Sequence, residues 1–174
     1  MKISVMSKIE CERFSGEILK HKCIIISIND SGSNSNIKEN KDILNILSLE
    51  FDDVIKEVPK CKLNTIEDCV SIKEFVDSYK DEVSEIVIHC TMGISRSSAV
   101  ACVLSRYLNG DDYYLFKKGL YSPNILVYEN MCRAFCLEFD KKDFKKKVKI
   151  SDRIMNKRLK GYSQYGMDLS DIFS

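Results

Sequence analysis

The sequence has no tryptophan and only two prolines in 174 residues. So little proline excludes a polyproline or collagen-like chain and leaves long stretches free for regular elements. No stretch approaches the roughly 18 apolar residues of a membrane-spanning helix. The opening MKISVMSKIE has no apolar h-region, so no secretory leader is expected. Lys and Arg number 27 against 26 Asp and Glu, a net charge of +1. That balance gives no global electrostatic reason to bind nucleic acid or an acidic membrane. Histidine is limited to His21 and His89, and no two cysteines stand as C-x2-C. A structural zinc site is therefore not expected, and no metal or other cofactor is.

What is present is an ordinary globular balance, 44% apolar and 30% charged. The length suits one domain with a core of its own. The eight cysteines, at 11, 23, 61, 69, 90, 102, 132 and 136, are the unusual feature. Without secretion their default state is the reduced thiol, which predicts a cytoplasmic location and small core hydrophobes at most of these positions.

Residues 2–6 read as a short strand. Residues 7–20 read as a helix, with Ser7 as N-cap and Glu10 completing a capping box. Cys23 to Ile28 is a continuous apolar run rich in isoleucine, suited to a strand covered on both faces of a parallel sheet. Residues 29–41 form a polar, turn-rich loop expected to be mobile. Residues 43–51 read as another strand, ending at Asp52-Asp53. Residues 65–80 read as an amphipathic helix capped by Thr65 and Asp68, with Ile66, Cys69, Val70, Phe75 and Val76 supplying most of its apolar face. A strand over 84–89, a loop over 90–96 and a helix over 95–108 follow. A short helix over 111–118 ends at Gly119, and another runs from Pro123-Asn124 to about Phe139. Strands alternating with helices define an α/β class, a single domain with a central, mostly parallel sheet flanked by helices.

The composition shifts after residue 140. Residues 141–160 hold ten Lys or Arg against Asp143 and Asp152, about +8. The chain thus divides into a main unit over 1–140 and a basic segment over 141–174, packed on or extending from it. A solvated helix face is the plain reading of the basic run; a surface for an anionic partner, nucleic acid included, is the sharper one.

The segment with chemical content is His89-Cys90-Thr91-Met92-Gly93-Ile94-Ser95-Arg96-Ser97. It joins a buried strand to a helix. In open parallel sheets, ligands bind beyond the carboxyl ends of the strands. A loop entering a helix N-terminus points backbone N–H groups inward, and the helix dipole adds positive charge. That is a cradle for a tetrahedral oxyanion. Gly93 permits a turn that a side chain would hinder. Arg96 offers a bidentate clamp for two phosphate oxygens. A thiol in that field, Cys90, is favoured as thiolate.

This segment resembles the H-C-x5-R-[ST] signature of the cysteine-dependent protein tyrosine phosphatases. The likeness extends over roughly residues 20–139, and the length resembles the dual-specificity branch or a small bacterial or viral member. The resemblance implies a metal-independent phosphatase of phosphotyrosine in proteins, with phosphoserine and phosphothreonine as further substrates. It implies that Cys90 is the nucleophile, forming a phosphocysteine. It implies that Arg96 and the backbone of Thr91, Met92, Gly93, Ile94 and Ser95 bind the phosphate. Ser97 then matches the hydroxyl that eases departure of the sulfur, and His89 a residue that organises the loop. The family also uses a general acid on a separate loop after a strand. Asp53 and Asp52 both follow such a strand here, and the resemblance favours Asp53. Asp68, inside a helix, is left a capping role. Pro123-Asn124 resembles a structural Pro-Asn of the family. Ser98 stands where many members have Pro, Gly or Ala, a departure expected to change little. The loop has no Lys, which disfavours phosphoinositides.

Two other readings stay open. One is a phosphopeptide-binding module without turnover. The other keeps the chemistry and changes the substrate to a non-protein phosphate such as an RNA 5′-phosphate, with 141–160 as its only support. Rhodanese-type sulfurtransferases and arsenate reductases also use cysteine loops, but the flanking His and Ser and the mid-chain position disfavour them. Cys23 and Cys102 are candidate partners for Cys90 on oxidation.

Overall fold

The computed structural model describes residues 1–164, with side chains to residue 160; residues 165–174, with Asp168 and Asp171, lie outside the described residues. Four strands form one all-parallel sheet in the order β1-β4-β2-β3: β1 (Lys2–Ser7), β2 (Cys23–Asn29), β3 (Ile43–Glu50) and β4 (Glu85–Cys90). The two inner strands, β2 and β4, are buried at every position, as their apolar runs require.

Side-chain alternation assigns the two faces. Ile24, Ile26, Ile28, Ile86 and Ile88 pack into the main core. Each is at most 1% exposed. Burial of such a side chain contributes on the order of 2 kcal/mol. Helices α2 (Ile66–Tyr79), α3 (Arg96–Asn109) and α5 (Ile125–Ala134) supply the facing residues. Ile25 and Val87 point the other way, into a smaller cluster with Cys11, under α1 (Lys8–Ser15) and the loop after β2. The same alternation sends His89 to the minor face and Cys90 to the main core.

Local signals set most element ends. Both capping boxes form, Ser7 with Glu10 and Thr65 with Asp68. Helix α1 is shorter than the expected 7–20, because Gly16 closes it with a backbone bond to Arg13. Helix α5 stops at Ala134 rather than near Phe139. Cys136 there takes a left-handed φ of 53° and Leu137 N–H returns to the Cys132 carbonyl, a helix stop that a non-glycine residue seldom adopts. On α2 the buried stripe is Cys69, Ile72 and Val76, while Val70 is exposed. The positions three and four apart face the sheet, so Ile72 replaces Val70.

The loop after β2 is tied down rather than mobile. Lys8 Nζ reaches Ser33 Oγ and the Asn34 carbonyl, Asn36 N–H donates to Glu12, and Lys38 N–H donates to Ser15. A polar sequence signals solvent contact but does not reveal such long-range partners.

The short α4 (Tyr113–Lys117) leads to Gly119, and α6 (Lys141–Gln164) packs back against this region. Phe144 is buried against Phe116, Tyr128 and Phe139. Ser151 donates to the Tyr121 carbonyl. Lys147 meets the buried Asp112 at 2.8 Å, and Tyr128 donates to the same carboxylate. Lys141, Lys142, Lys145, Lys146 and Lys149 stay exposed. The basic run is therefore two-sided, one face packed on the body and one in solvent. No helix among the described residues is long and apolar enough to cross a membrane.

Candidate active site

Strand β4 delivers Cys90 to the carboxyl edge of the sheet, and α3 begins six residues later at Arg96. The intervening turn passes so close to β1 that only glycine fits at its middle. Gly93 has φ +70°, and a Cβ there would stand 2.7 Å from the backbone between Met6 and Ser7. Lys8 N–H, at the start of α1, donates to the Thr91 carbonyl at 3.3 Å. Ser122 and Asn124 N–H groups hold the carbonyls of Ile94 and Ser95. Ser98 Oγ donates to the same two carbonyls and so braces the loop from inside.

Cys90 is 2% exposed, with Sγ 3.1 Å from Ser97 Oγ. That pair fits a hydroxyl donating to a thiolate. Arg96 is equally enclosed. Its Nη1 donates to the Phe51 carbonyl at 2.8 Å, which anchors the guanidinium to the end of β3. Its Nη2 contacts Thr91 Oγ1 at 3.0 Å and Asp30 Oδ1 at 2.6 Å. Its Nε is buried without a protein partner. Thr91 and Met92 are exposed at the rim of the loop.

His89 is fully buried on the opposite face of the sheet. Its Nε2 meets Ser27 Oγ at 2.8 Å and Ser35 Oγ at 3.3 Å. Burial pushes the imidazole down to about 4, partly opposed by the Cys90 backbone. At neutral pH the ring is uncharged and linked to β2 and its loop.

The two candidate acids occupy different settings. The Asp52 carboxylate accepts from Ser31 Oγ at 2.5 Å, Ser31 N–H at 3.1 Å and Lys62 N–H at 2.7 Å. These donors hold it below the usual carboxylate range, first through Ser31 Oγ, then through the two backbone groups. Asp53 is exposed and touches the loop itself. Its Oδ1 accepts from Ser95 Oγ and from Asn124 Nδ2, both at 2.8 Å. Ser95, the residue before α3, makes no side-chain cap bond and gives its hydroxyl to Asp53 instead. Asn124 also caps α5, through Leu126 and Val127 N–H. A depression of about 470 Å³ adjoins Asp53 and Ser95, with Ile55, Pro123, Phe144 and Val148 among its walls.

Asp30 was not legible as a site residue from the polar loop that contains it. It directly follows β2, the neighbour of β4, and loops at the carboxyl ends of adjacent parallel strands converge. That rule could have pointed to it. Ser27, Ser31 and Ser35 belong to the same convergence.

The other cysteines are free thiols. Cys23 pairs in register with Glu85, at the far end of β4 from Cys90. Five residue steps along the strand separate Glu85 from Cys90, about 16 Å, beyond disulfide reach. Cys23 therefore does not stand with the Cys90 loop. Complete burial raises the Cys102 thiol strongly. Cys136 is exposed and Cys61 half-buried, so two of the eight are not core residues.

Strand, loop and helix together place Cys90, Arg96 and Ser97 in one turn at the carboxyl edge of the sheet. Among solved structures, the chain is similar to a human tyrosine phosphatase-like serine/threonine/tyrosine-interacting protein, at 23% identity over 64% of this chain and 75% of that one, with a TM-score of 0.47. It is also similar to Tk-PTP in the active form, at 13% identity over 88% and 92% of the two chains, with a TM-score of 0.42. No protein-family model and no curated protein matches the sequence.

Proposed function

We propose that the chain is a cysteine-dependent phosphomonoester hydrolase acting on phosphotyrosine in proteins, and on phosphoserine and phosphothreonine as well. The carrying observation is the loop 90–97, where Cys90 Sγ lies 3.1 Å from Ser97 Oγ and a buried Arg96 has an unbonded Nε in the same turn.

The steps follow from these groups. The phosphoryl oxygens are held by the Arg96 guanidinium and the loop backbone of residues 91–96. The Cys90 thiolate attacks phosphorus, and the P–O bond to the leaving group breaks. Asp53 gives its proton to that oxygen. A phosphocysteine remains. Water then attacks phosphorus, Asp53 takes its proton, and the S–P bonding pair returns to Cys90. Ser97 donates a hydrogen bond to the departing sulfur. His89, neutral and buried, fixes the end of β4 and transfers no proton. Asp52 shapes the neighbouring loop. The chemistry asks for no metal.

The test is Cys90→Ser. It should lower turnover of 4-nitrophenyl phosphate by at least roughly a thousandfold while phosphate binding persists. Full activity in that variant would remove the proposal. A panel of phosphotyrosine, phosphoserine and phosphothreonine peptides with a 5′-phosphorylated RNA then reads the substrate class. Binding of phosphopeptides without any turnover would make the chain a binding module.

A further inference from the structure

We propose that Asp30 is a built-in competitor of the substrate's phosphoryl group, an internal anion that must leave Arg96 before phosphate is clamped. The proposal rests on the phosphatase reading for its substrate, but its geometry stands on its own.

The guanidinium of Arg96 has two roles already divided among its nitrogens. Nη1 is committed to the Phe51 carbonyl, which fixes the plane of the group without any carboxylate. Nη2 carries Asp30 Oδ1 at 2.6 Å and Thr91 Oγ1 at 3.0 Å. Nε, on the other corner of the edge that Nη2 shares, is buried and unbonded. A bidentate clamp on a phosphate uses two adjacent N–H groups of one such edge. Asp30 thus occupies Nη2, one of the two nitrogens of that edge, while Nε has no protein partner.

Asp30 also takes a loop group. Its Oδ2 accepts from Thr91 Oγ1 at 2.7 Å, and Thr91 is the first residue after Cys90. One carboxylate therefore bridges the arginine and the hydroxyl of the anion loop, a small mimic of an oxyanion held there. A phosphate dianion and a carboxylate in contact with the same nitrogen repel each other.

Displacement is feasible by side-chain rotation alone. Arg96 is 4% exposed but the Asp30 side chain is 43% exposed, so the acid can turn into water. The backbone that bears it is fixed. Ser31 is bonded to Asp52 through both N–H and hydroxyl, and Ser33 N–H returns to the Asp30 carbonyl. The latch has a rigid hinge and a solvated swing. If Asp30 only positioned Arg96, the Phe51 anchor would leave it little to do.

The experiment measures the Kd of inorganic phosphate by calorimetry for the full-length chain and for Asp30→Asn, Asp30→Ala and Glu50→Gln. Asp30→Asn is close to isosteric and keeps a group for Thr91. Glu50→Gln removes the same unit charge from a residue bonded to Gly32, without contact with Arg96. Competition predicts at least a fivefold tighter Kd in both Asp30 variants and a smaller change in Glu50→Gln, with a matching fall in KM for 4-nitrophenyl phosphate. An unchanged or weaker Kd in Asp30→Asn overturns the proposal and makes Asp30 a positioning residue. Equal tightening in Glu50→Gln also overturns it, in favour of long-range charge. Tighter phosphate binding by the Asp30 variants of a chain that hydrolyses nothing would uphold the latch and remove the phosphatase reading. Absence of phosphate binding in every form would overturn both.

Discussion

At the scale of single residues, two neighbouring aspartates separate by their hydrogen bonds. Asp52 accepts three bonds that favour its ionised form, whereas Asp53 is joined to the Cys90 loop through Ser95. A general acid must be protonated for the first step, so its ionisation sets the falling alkaline limb of the rate profile. Asp53→Asn should lower kcat by about 10²–10⁴-fold and flatten that limb. Asp52→Asn should keep the limb and lose part of the anchorage of Ser31. A pH profile of kcat for both variants decides it, and the reverse pattern would exchange their roles. His89 makes a prediction about stability. Burial depresses its ionisation to about 4 from an ordinary value near 6.5, so the unfolded chain binds the extra proton first. The stability from the neutral ring is complete above pH 6.5 and falls away as the pH drops toward 4. The loss is on the order of 3 kcal/mol across that window. Thermal melts of the native chain and His89→Gln should therefore differ in slope and approach each other as the pH falls, with the variant less pH-dependent between 4 and 6.5. Parallel curves would show that another group controls the acid limb.

At the scale of elements, α6 is held by contacts that its composition hides. Gly119 lies at φ +60°, and a Cβ there would stand 2.3 Å from Ile154. The close approach of the α4 end to α6 depends on that missing side chain. Lys147 forms the polar half of the same attachment, because Asp112 is 1% exposed and would keep a buried charge without it. Lys147→Met should cost about 3 kcal/mol, most of it the penalty on Asp112. Asp112→Asn in the same chain should recover part of the loss. A double-mutant cycle from urea unfolding measures this, and independent additive effects would contradict it. The exposed lysines of α6 should tolerate substitution with changes within about 0.5 kcal/mol.

At the scale of the whole molecule, the basic segment and the site are neighbours. Phe144 and Val148 of α6 wall the depression that adjoins Asp53 and Ser95. Phe144 also closes the aromatic group of Phe116, Tyr128 and Phe139. A chain ending at residue 140 should therefore melt at least several degrees lower and expose apolar surface to a hydrophobic dye. Where it still folds, it should lose discrimination among phosphopeptides more than it loses turnover of 4-nitrophenyl phosphate. Unchanged melting on truncation would show that 141–174 is an appendage.

The sequence by itself determined whatever is local. The strand, loop and helix that carry Cys90, Arg96 and Ser97 span only residues 85–109, and the two capping boxes and the buried runs of β2 and β4 follow from short-range pattern. The tertiary structure decided everything that depends on which loops meet. Strand order β1-β4-β2-β3 puts the end of β2 beside β4, and so brings Asp30 to Arg96 and Ser27 to His89. The same packing gives Asn124 to Asp53, removes Cys23 from reach of Cys90, and folds α6 against the edge of the site. These partners lie far apart in the chain, and no periodicity or spacing records a contact whose only cause is the arrangement of elements around a shared core.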